Sequence, residues 1–163
     1  MSFFNQLQTE TNQDREALFS IPIIQDALRG EIKLNQYLAF LKEAYHHVKY
    51  TVPLLTACKN EISCDYPWLK EAMSHYIEDE MGHEEWILND IKAAGGKHEE
   101  IRHSEPSIFT ELMVADAYYQ IYQKNPIGFL GMVFVLEGTS IAIATNAAAA
   151  MQKSLQLPNE AFT

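Results

Sequence analysis

The chain has 163 residues, a length that suits one domain with its own hydrophobic core. Apolar residues make up 47% of the sequence and charged residues 21%, both ordinary for a water-soluble globular protein. A formal net charge of -10, with no cluster of lysine and arginine, argues against non-specific binding to nucleic acid or to an anionic membrane.

The two cysteines and the N-terminus indicate a cytoplasmic protein. Cys58 and Cys64 form neither a disulfide framework nor a C-x-x-C metal pair, which fits a reducing compartment. The first nineteen residues lack the basic segment and the long apolar segment of a secretory signal.

Hydrophobic spacing predicts helices along the whole chain and no strand. In chain order, the predicted helices cover 3–19, 22–28, 33–58, 67–94, 108–123 and 126–155. Gly30 is expected to end the second helix, Pro53 to kink the third, and a polar loop to fill 95–107. Leu157 to Glu160 resemble the start of one more helix. We therefore expect a single all-α domain over 1–163, built as a helical bundle.

Two ionisable residues interrupt the apolar stripe of the predicted helix over 67–94. Because residues three apart share one face of a helix, Glu80 and His83 are expected to point together into the bundle. Burying such groups unpaired costs roughly several kcal/mol, so they need a partner. Glu-x-x-His projecting into a bundle is the spacing with which di-iron and di-manganese carboxylate proteins bind their metals.

A third ionisable residue, Glu137, is the one charge in the run from Ile127 to Ala150. The run is a candidate membrane span, but its polar residues favour a helix buried inside a soluble protein. A cation bound by Glu80, His83 and Glu137 would satisfy all three residues. Such a carboxylate and imidazole set suits non-haem iron or manganese better than zinc.

Each of these residues also has an ordinary structural explanation. Glu80 would extend to solvent, His83 would bond a backbone carbonyl, and Glu137 would be protonated or paired with a basic side chain. Tyr45 and Tyr76 lie on the same stripes as the candidate ligands, so we expect them near a substrate cavity.

Other histidines are candidates for additional ligands or for surface positions. His46, His47 and His75 lie on predicted helices and are more typical of surface or pocket groups. His98 and His103 fall in the polar loop, where we expect them to be solvated.

Three segments in this order resemble the haem-oxygenase-like superfamily, which includes the thiaminase-II (TenA) and PqqC types. They are IPIIQDALRG-EIKLNQYLAFLKEAYHHVKY, IEDEMGHEEW and GFLGMVFVLEGTSIAIA. The pattern is most similar to the haem-oxygenase-like di-iron oxidases, often described as iron-containing redox enzymes. Its more specific part is Glu80 and His83, followed about fifty residues later by Glu137 and Thr139.

The resemblance implies a haem-oxygenase-like bundle that binds non-haem iron, in some members as a di-iron site. It also implies dioxygen as co-substrate, a small organic substrate and a homodimer. Further ligands are implied on a C-terminal helix carrying His-x-x-x-Asp-x-x-His. The sequence has no such segment, so we expect a bundle that lacks its C-terminal helix or helices.

The leading hypothesis is a non-haem-iron-dependent oxidase or oxygenase with Glu80, His83 and Glu137 as catalytic and metal-binding residues. One alternative is a metal-free TenA- or PqqC-like enzyme or small-molecule-binding protein, in which Glu137 is an acid or a hydrogen-bond anchor. A thiaminase-II enzyme would carry a nucleophilic cysteine near Glu137, where this chain has Gly138-Thr139-Ser140. Another alternative is a non-catalytic interaction module or regulator. No hypothesis includes nucleic acid or a membrane as a partner.

Overall fold

The structure, a computed structural model, describes residues 2–162, and within that range all regular elements are helical. The α-helices are α1 (Phe3–Glu10), α2 (Asn12–Phe19), α3 (Pro22–Arg29), α4 (Leu34–Val48), α5 (Thr51–Glu61), α6 (Pro67–Glu80), α7 (His83–Ala93), α8 (His98–Arg102), α9 (Ile108–Gln123) and α10 (Pro126–Leu155). A 3-10 helix covers Asn159–Phe162. The predicted all-α class is confirmed.

The chain divides into two compact units. The first unit contains the described residues up to Lys33 together with Gly131–Leu157. The second unit contains Leu34–Leu130 and the described residues from Pro158 onward.

In the second unit, α4 packs against α7 and α9, α5 packs against α6 and α9, and α7 packs against α8 and the 3-10 helix. The largest fully buried side chains are Leu54, Leu55, Leu88, Ile91, Ile121, His46 and Cys58. Six of these seven side chains are apolar or a thiol, so burying them favours folding in the usual way.

Helix α9 begins where α4 supplies a carboxylate. The Glu43 carboxylate accepts hydrogen bonds from the Ser107 N–H at 3.0 Å and from the Thr110 hydroxyl at 2.5 Å. Burial raises the pKa of Glu43, and the hydrogen bonds from Thr110 and Ser107 outweigh it, so the pKa lies below its usual value. Glu43, which is distant in sequence, therefore caps α9, and its negative charge interacts favourably with the N-terminal end of the helix dipole.

In the first unit, Gly30 ends α3 as predicted. Its φ of 68° is left-handed, and a Cβ atom there would lie 3.1 Å from the Ala150 carbonyl oxygen. Phe4 meets Phe134 edge to face at 6.0 Å, and the Arg15 guanidinium lies 5.7 Å from the centre of the Phe134 ring. These contacts fasten the short N-terminal helices to α10 within the unit.

The predicted helix over 33–58 is wrong, because α4 ends at Val48 and α5 begins at Thr51. Pro53 has no N–H to donate to the carbonyl of Lys49, and its ring is compatible only with the first turn of a helix. The chain therefore breaks ahead of Pro53 and starts a new helix, instead of kinking at it.

Two other predicted helices are also split. The helix predicted over 3–19 breaks at Thr11, whose hydroxyl donates to the Leu7 carbonyl at 2.7 Å and so competes with the regular helical pattern. The helix predicted over 67–94 breaks at Met81 and Gly82. By contrast, the bounds predicted for α9 and α10 agree with the structure. The predicted polar loop contains the short helix α8, and the expected helix start near 157–160 is the 3-10 helix.

The prediction that α10 is a buried helix is wrong. The helix has 30 residues and is long and apolar enough to span a membrane, yet 11% of its most apolar window is buried. It is about 45 Å long, whereas the three other helices of its unit have eight residues each. Helices of that length cover only part of it.

The two cysteines have contrasting surroundings. The Cys58 thiol is fully buried and donates to the carbonyl oxygen of Pro126 at 3.1 Å. Burial raises its pKa to about 11. Cys64 is exposed, and both cysteines are free thiols.

Candidate functional site

Glu80 and His83 meet at the turn between α6 and α7. Glu80 is the last residue of α6, His83 is the first of α7, and His83 Nδ1 lies 2.9 Å from Glu80 Oε2. Their side chains are 13% and 27% exposed. The predicted association of the two residues is present, but its basis is different: they close a turn and do not share a face of one helix.

Gly82 makes this turn possible. Its φ is 88°, a left-handed conformation that glycine adopts without the steric cost that a Cβ atom brings. No heavy atom lies within 4 Å of a Cβ built at this position, so the backbone angle alone requires glycine here. Met81, in an extended conformation, completes the reversal.

The His83 ring also stacks on an indole. Its centre lies 4.1 Å from that of Trp86, and the two rings are tilted by 35°. Trp86 itself is 53% exposed. The imidazole is therefore fixed on one side by a carboxylate and on one face by an aromatic ring, while it remains accessible to solvent.

This geometry defines what the imidazole can do. A neutral His83 that donates its Nδ1 proton to Glu80 keeps a free electron pair on Nε2. That pair is available to accept a proton or to bind a metal ion.

The pair supplies two donors of the kind that iron binds, a carboxylate and an imidazole. Within residues 2–162, no group of three or more His, Cys, Asp or Glu side chains is arranged to hold a metal ion. Glu80 moreover bonds His83 itself, in the way an outer carboxylate orients a ligating histidine. As arranged here, the described residues are not a complete iron site.

Glu137 lies in the first unit, in the middle of α10, and it is exposed. The prediction that it is buried is therefore wrong, and the burial cost that motivated a metal partner does not arise in this arrangement. Thr139, two residues on, is buried, and its hydroxyl donates to the Val135 carbonyl at 2.6 Å. A metal-binding role for Glu137 stays a prediction.

The two tyrosines predicted near a cavity have different environments. Tyr45 is buried, with the Lys49 ammonium 5.6 Å from its ring centre, and burial raises its pKa. Tyr76 is half-buried on α6. An open depression of about 460 Å³ in the second unit is lined by Asn89, Lys92, Ala93 and Glu160, not by these tyrosines. Their role in a substrate pocket stays a prediction.

His46 has a structural role that the sequence did not reveal. It is fully buried, with Nδ1 3.0 Å from the Lys49 ammonium and Nε2 2.9 Å from the Ser104 hydroxyl. Ser104 in turn donates to the Ile101 carbonyl at 2.9 Å. Because the ammonium can only donate, His46 is neutral with its proton on Nε2. Burial, followed by the charge of Lys49, lowers its pKa.

Both nitrogens of His46 are thus occupied, which excludes it as a metal ligand in this conformation. Of the other histidines, His47 is half-buried, and His75 and His103 are exposed as surface groups. His98 is half-buried, which differs from the solvated position expected in a polar loop.

Comparisons with known proteins agree with the all-helical fold. A solved domain of unknown function from Shewanella denitrificans OS217, with a haem-oxygenase-like fold, superposes with a TM-score of 0.82. It is 22% identical, and the match covers 99% of this chain and 69% of that chain. No curated protein matches. The family described as iron-containing redox enzyme matches residues 38–163. The chain therefore has the haem-oxygenase-like fold and belongs to the family of iron-containing redox enzymes.

Proposed function

We propose that the protein is a non-haem-iron-dependent oxidoreductase that uses dioxygen on a small organic substrate, with the Glu80–His83 pair at its centre. Membership of the iron-containing redox enzyme family supports the reaction class. The observation that carries the choice of residues is the 2.9 Å contact that orients the His83 imidazole.

Iron held through Nε2 of His83 would supply one-electron redox chemistry toward dioxygen, with the substrate or an external reductant as the source of the electrons. The role of this chain's own residues is to prepare the donor. Glu80 holds the Nδ1 proton, so the electron pair on Nε2 is directed away from the carboxylate. Trp86 restricts rotation of the ring by stacking on it. A pre-oriented ligand loses less conformational freedom when it binds.

The Glu80–His83 contact also supports a second function, that of a metal-free acid–base enzyme. A histidine whose Nδ1 proton is held by a carboxylate is a general base at Nε2, and this arrangement needs no ion. This is the TenA- or PqqC-like alternative. Iron content distinguishes it from the first proposal.

The test is the iron content of purified protein expressed with iron, measured by elemental analysis, together with oxygen consumption in the presence of a reductant. We expect stoichiometric iron in the wild type and a large loss of it in His83→Ala. A matched control exists on α6, where His75 and Glu78 are also three apart but are exposed and separated by 3.8 Å. His75→Ala should keep the wild-type iron content.

Two outcomes would refute the iron proposal: wild-type protein without iron, or equal iron in wild type and His83→Ala. In the first case, turnover of a thiamine-type pyrimidine that depends on His83 would favour the metal-free enzyme. Glu137→Ala tests the third predicted ligand separately, and unchanged iron in that variant would remove Glu137 from the ligand set.

We propose further that the protein is cytoplasmic and acts without nucleic acid or a membrane as partner. The acidic balance of the whole sequence supports this, because both of those partners are anionic.

A further inference from the structure

The short helix α8 is joined to the first turn of α7 by an arginine outside the candidate site. The Arg102 guanidinium, at the end of α8, donates to both oxygens of the Glu85 carboxylate, at 2.5 Å and 2.7 Å. Glu85 lies two residues after His83, in the first turn of α7. This contact therefore reaches the part of α7 that carries the imidazole.

The contact has a defined direction. A planar guanidinium that donates two parallel hydrogen bonds to one carboxylate fixes the orientation of both groups, which the point charge of an ammonium does not do. The hydrogen bonds from Arg102 lower the pKa of Glu85, so both partners are charged at neutral pH. Arg102 Nε also lies 3.6 Å from the Glu99 carboxylate, one turn earlier on α8, which holds the guanidinium from another side.

Stability alone gives this ion pair little importance. The Arg102 and Glu85 side chains are 31% and 48% exposed, and partly exposed pairs usually contribute little to the free energy of unfolding. What distinguishes the pair is the position of its partners. The Lys97–Glu100 pair joins residues three apart at α8, whereas the Arg102–Glu85 pair joins two helices.

The Glu85 backbone takes part in the turn at Gly82. Its N–H donates to the Gly82 carbonyl oxygen at 3.0 Å. Glu85 is thus linked to the turn through its backbone and to α8 through its carboxylate. The first turn of a helix lacks intrahelical partners for its N–H groups, so it depends more than the middle of the helix on contacts from outside.

The end of α8 is itself attached to the core. The buried His46 Nε2 donates to the Ser104 hydroxyl at 2.9 Å, and Ser104 lies two residues after Arg102. Helix α8 packs against α7, and α7 packs against α4, which carries His46. The guanidinium therefore extends from a segment that is fixed to a buried side chain.

We propose that Arg102 is a positioning residue for His83: it holds Glu85, and with it the first turn of α7, so that the imidazole keeps its orientation against Glu80. The use of this orientation rests on the proposed function. The orientation itself can be measured without any added ion.

Nitrogen NMR of the imidazoles tests the orientation, at a pH well above the ordinary histidine pKa. The wild type should show His83 in the Nδ1-protonated form that the contact with Glu80 requires. Arg102→Gln should shift a large part of this signal toward a mixture of the two tautomers, because the first turn of α7 is then released from α8. Lys97→Gln removes the same charge and breaks the exposed pair with Glu100, and it should leave the His83 signal unchanged.

A double-mutant cycle tests whether Arg102 acts through Glu85. Glu85→Gln should change the His83 signal as Arg102→Gln does, and the double variant should change it no further, since each substitution alone breaks the contact. Glu99→Gln removes the same charge from the other carboxylate beside Arg102 and should have a much smaller effect. Arg102→Lys keeps the charge without the two-bond geometry, so its signal should lie between wild type and Arg102→Gln.

Iron binding tests whether the enzyme uses this orientation. Loss of a group that directly orients a ligating histidine typically weakens metal binding about 10–100-fold. Arg102 acts one contact further away, so Arg102→Gln should raise the dissociation constant for iron(II) by less, about threefold to tenfold. Lys97→Gln should bind iron(II) as the wild type does.

An unchanged His83 signal in Arg102→Gln would overturn the proposal. So would additive changes in the double variant, because Arg102 and Glu85 would then act by separate routes, and so would a lower melting temperature of Arg102→Gln with His83 unaffected. A wild type that binds no iron, but whose His83 responds to Arg102→Gln as expected, would refute the iron function and support the positioning role.

Discussion

Replacing Gly82 by alanine should destabilise the turn that joins Glu80 to His83. The φ of 88° at Gly82 is in the left-handed region, and nothing lies near enough to a Cβ atom to add a steric clash. The entire effect should therefore come from the backbone angle. This isolates one physical cause, which is unusual for a substitution beside a candidate site.

The magnitude follows from two opposing contributions. A left-handed conformation costs an alanine roughly 1–2 kcal/mol in the folded state. Alanine also restricts the unfolded chain, which returns about 0.4–1 kcal/mol. The net loss should be about 1 kcal/mol, or a decrease in the melting temperature of about 2–4 °C for a chain of this size.

Thermal unfolding followed by circular dichroism measures this loss, and a second glycine of the same unit provides the control. Gly95 has a φ of 79° at the end of α7 and also has nothing within 4 Å of a built Cβ atom. Gly95→Ala should lower the melting temperature by a similar amount. The two variants should differ in the imidazole nitrogen signals of His83, which only Gly82→Ala should shift from the Nδ1-protonated form.

A Gly82→Ala protein as stable as the wild type would refute the reasoning, because residue 82 would then not need the left-handed angle. An equal change of the His83 signals in Gly95→Ala would show that the His83 tautomer does not depend on the turn at Gly82. Gly82→Asn should fall between wild type and Gly82→Ala in stability, since asparagine tolerates the left-handed region better than alanine does.

Three further predictions concern other parts of the chain. Burial lowers the pKa of His46, so near and below about pH 6.5 the unfolded chain binds a proton at this residue that the folded chain does not bind. The free energy of unfolding, measured with urea, should therefore decrease as the pH falls below about 6.5. His46→Gln should reduce this pH dependence, and His103→Gln should not. Glu43→Ala removes the carboxylate that accepts hydrogen bonds from Ser107 and Thr110, but it leaves the Ser107 hydroxyl that accepts from the Thr110 N–H, and it should cost about 1–2 kcal/mol in the same assay; an unchanged midpoint would show that the carboxylate does not stabilise α9. After lysis and ultracentrifugation the protein should stay in the supernatant, and recovery with alkali-washed membranes would contradict the cytoplasmic proposal.

Local sequence signals predicted the helical class and several helix ends well. Pro126 starts α10, Gly30 ends α3, and the bounds of α9 agree with its apolar spacing. Such signals act through backbone angles and hydrogen bonds of neighbouring residues, so they are legible without the rest of the fold. Gly82 and Pro53 are local signals of the same kind for the two helix breaks. The regular apolar spacing that continues across both positions predicted unbroken helices instead.

The candidate site was predicted in part. Spacing placed Glu80 near His83, and the structure joins them, although through a turn. For Glu137 the apolar run predicted a helix but not which other element would cover it, because hydrophobicity shows what a side chain prefers and not what lies beside it. His46 was missed for a related reason: its partner Ser104 lies far along the chain, and no local pattern links the two.

The Cys58 thiol allows the opening of the contact between α5 and the start of α10 to be followed in real time. A thiol of raised pKa with no exposed surface does not react with alkylating reagents while the helices stay closed, whereas Cys64 reacts at once. The slow second alkylation therefore reports how often the Cys58–Pro126 contact opens. In a Cys64→Ser protein, Cys58 would be the one remaining thiol, and its alkylation rate would measure local unfolding without any substrate or metal.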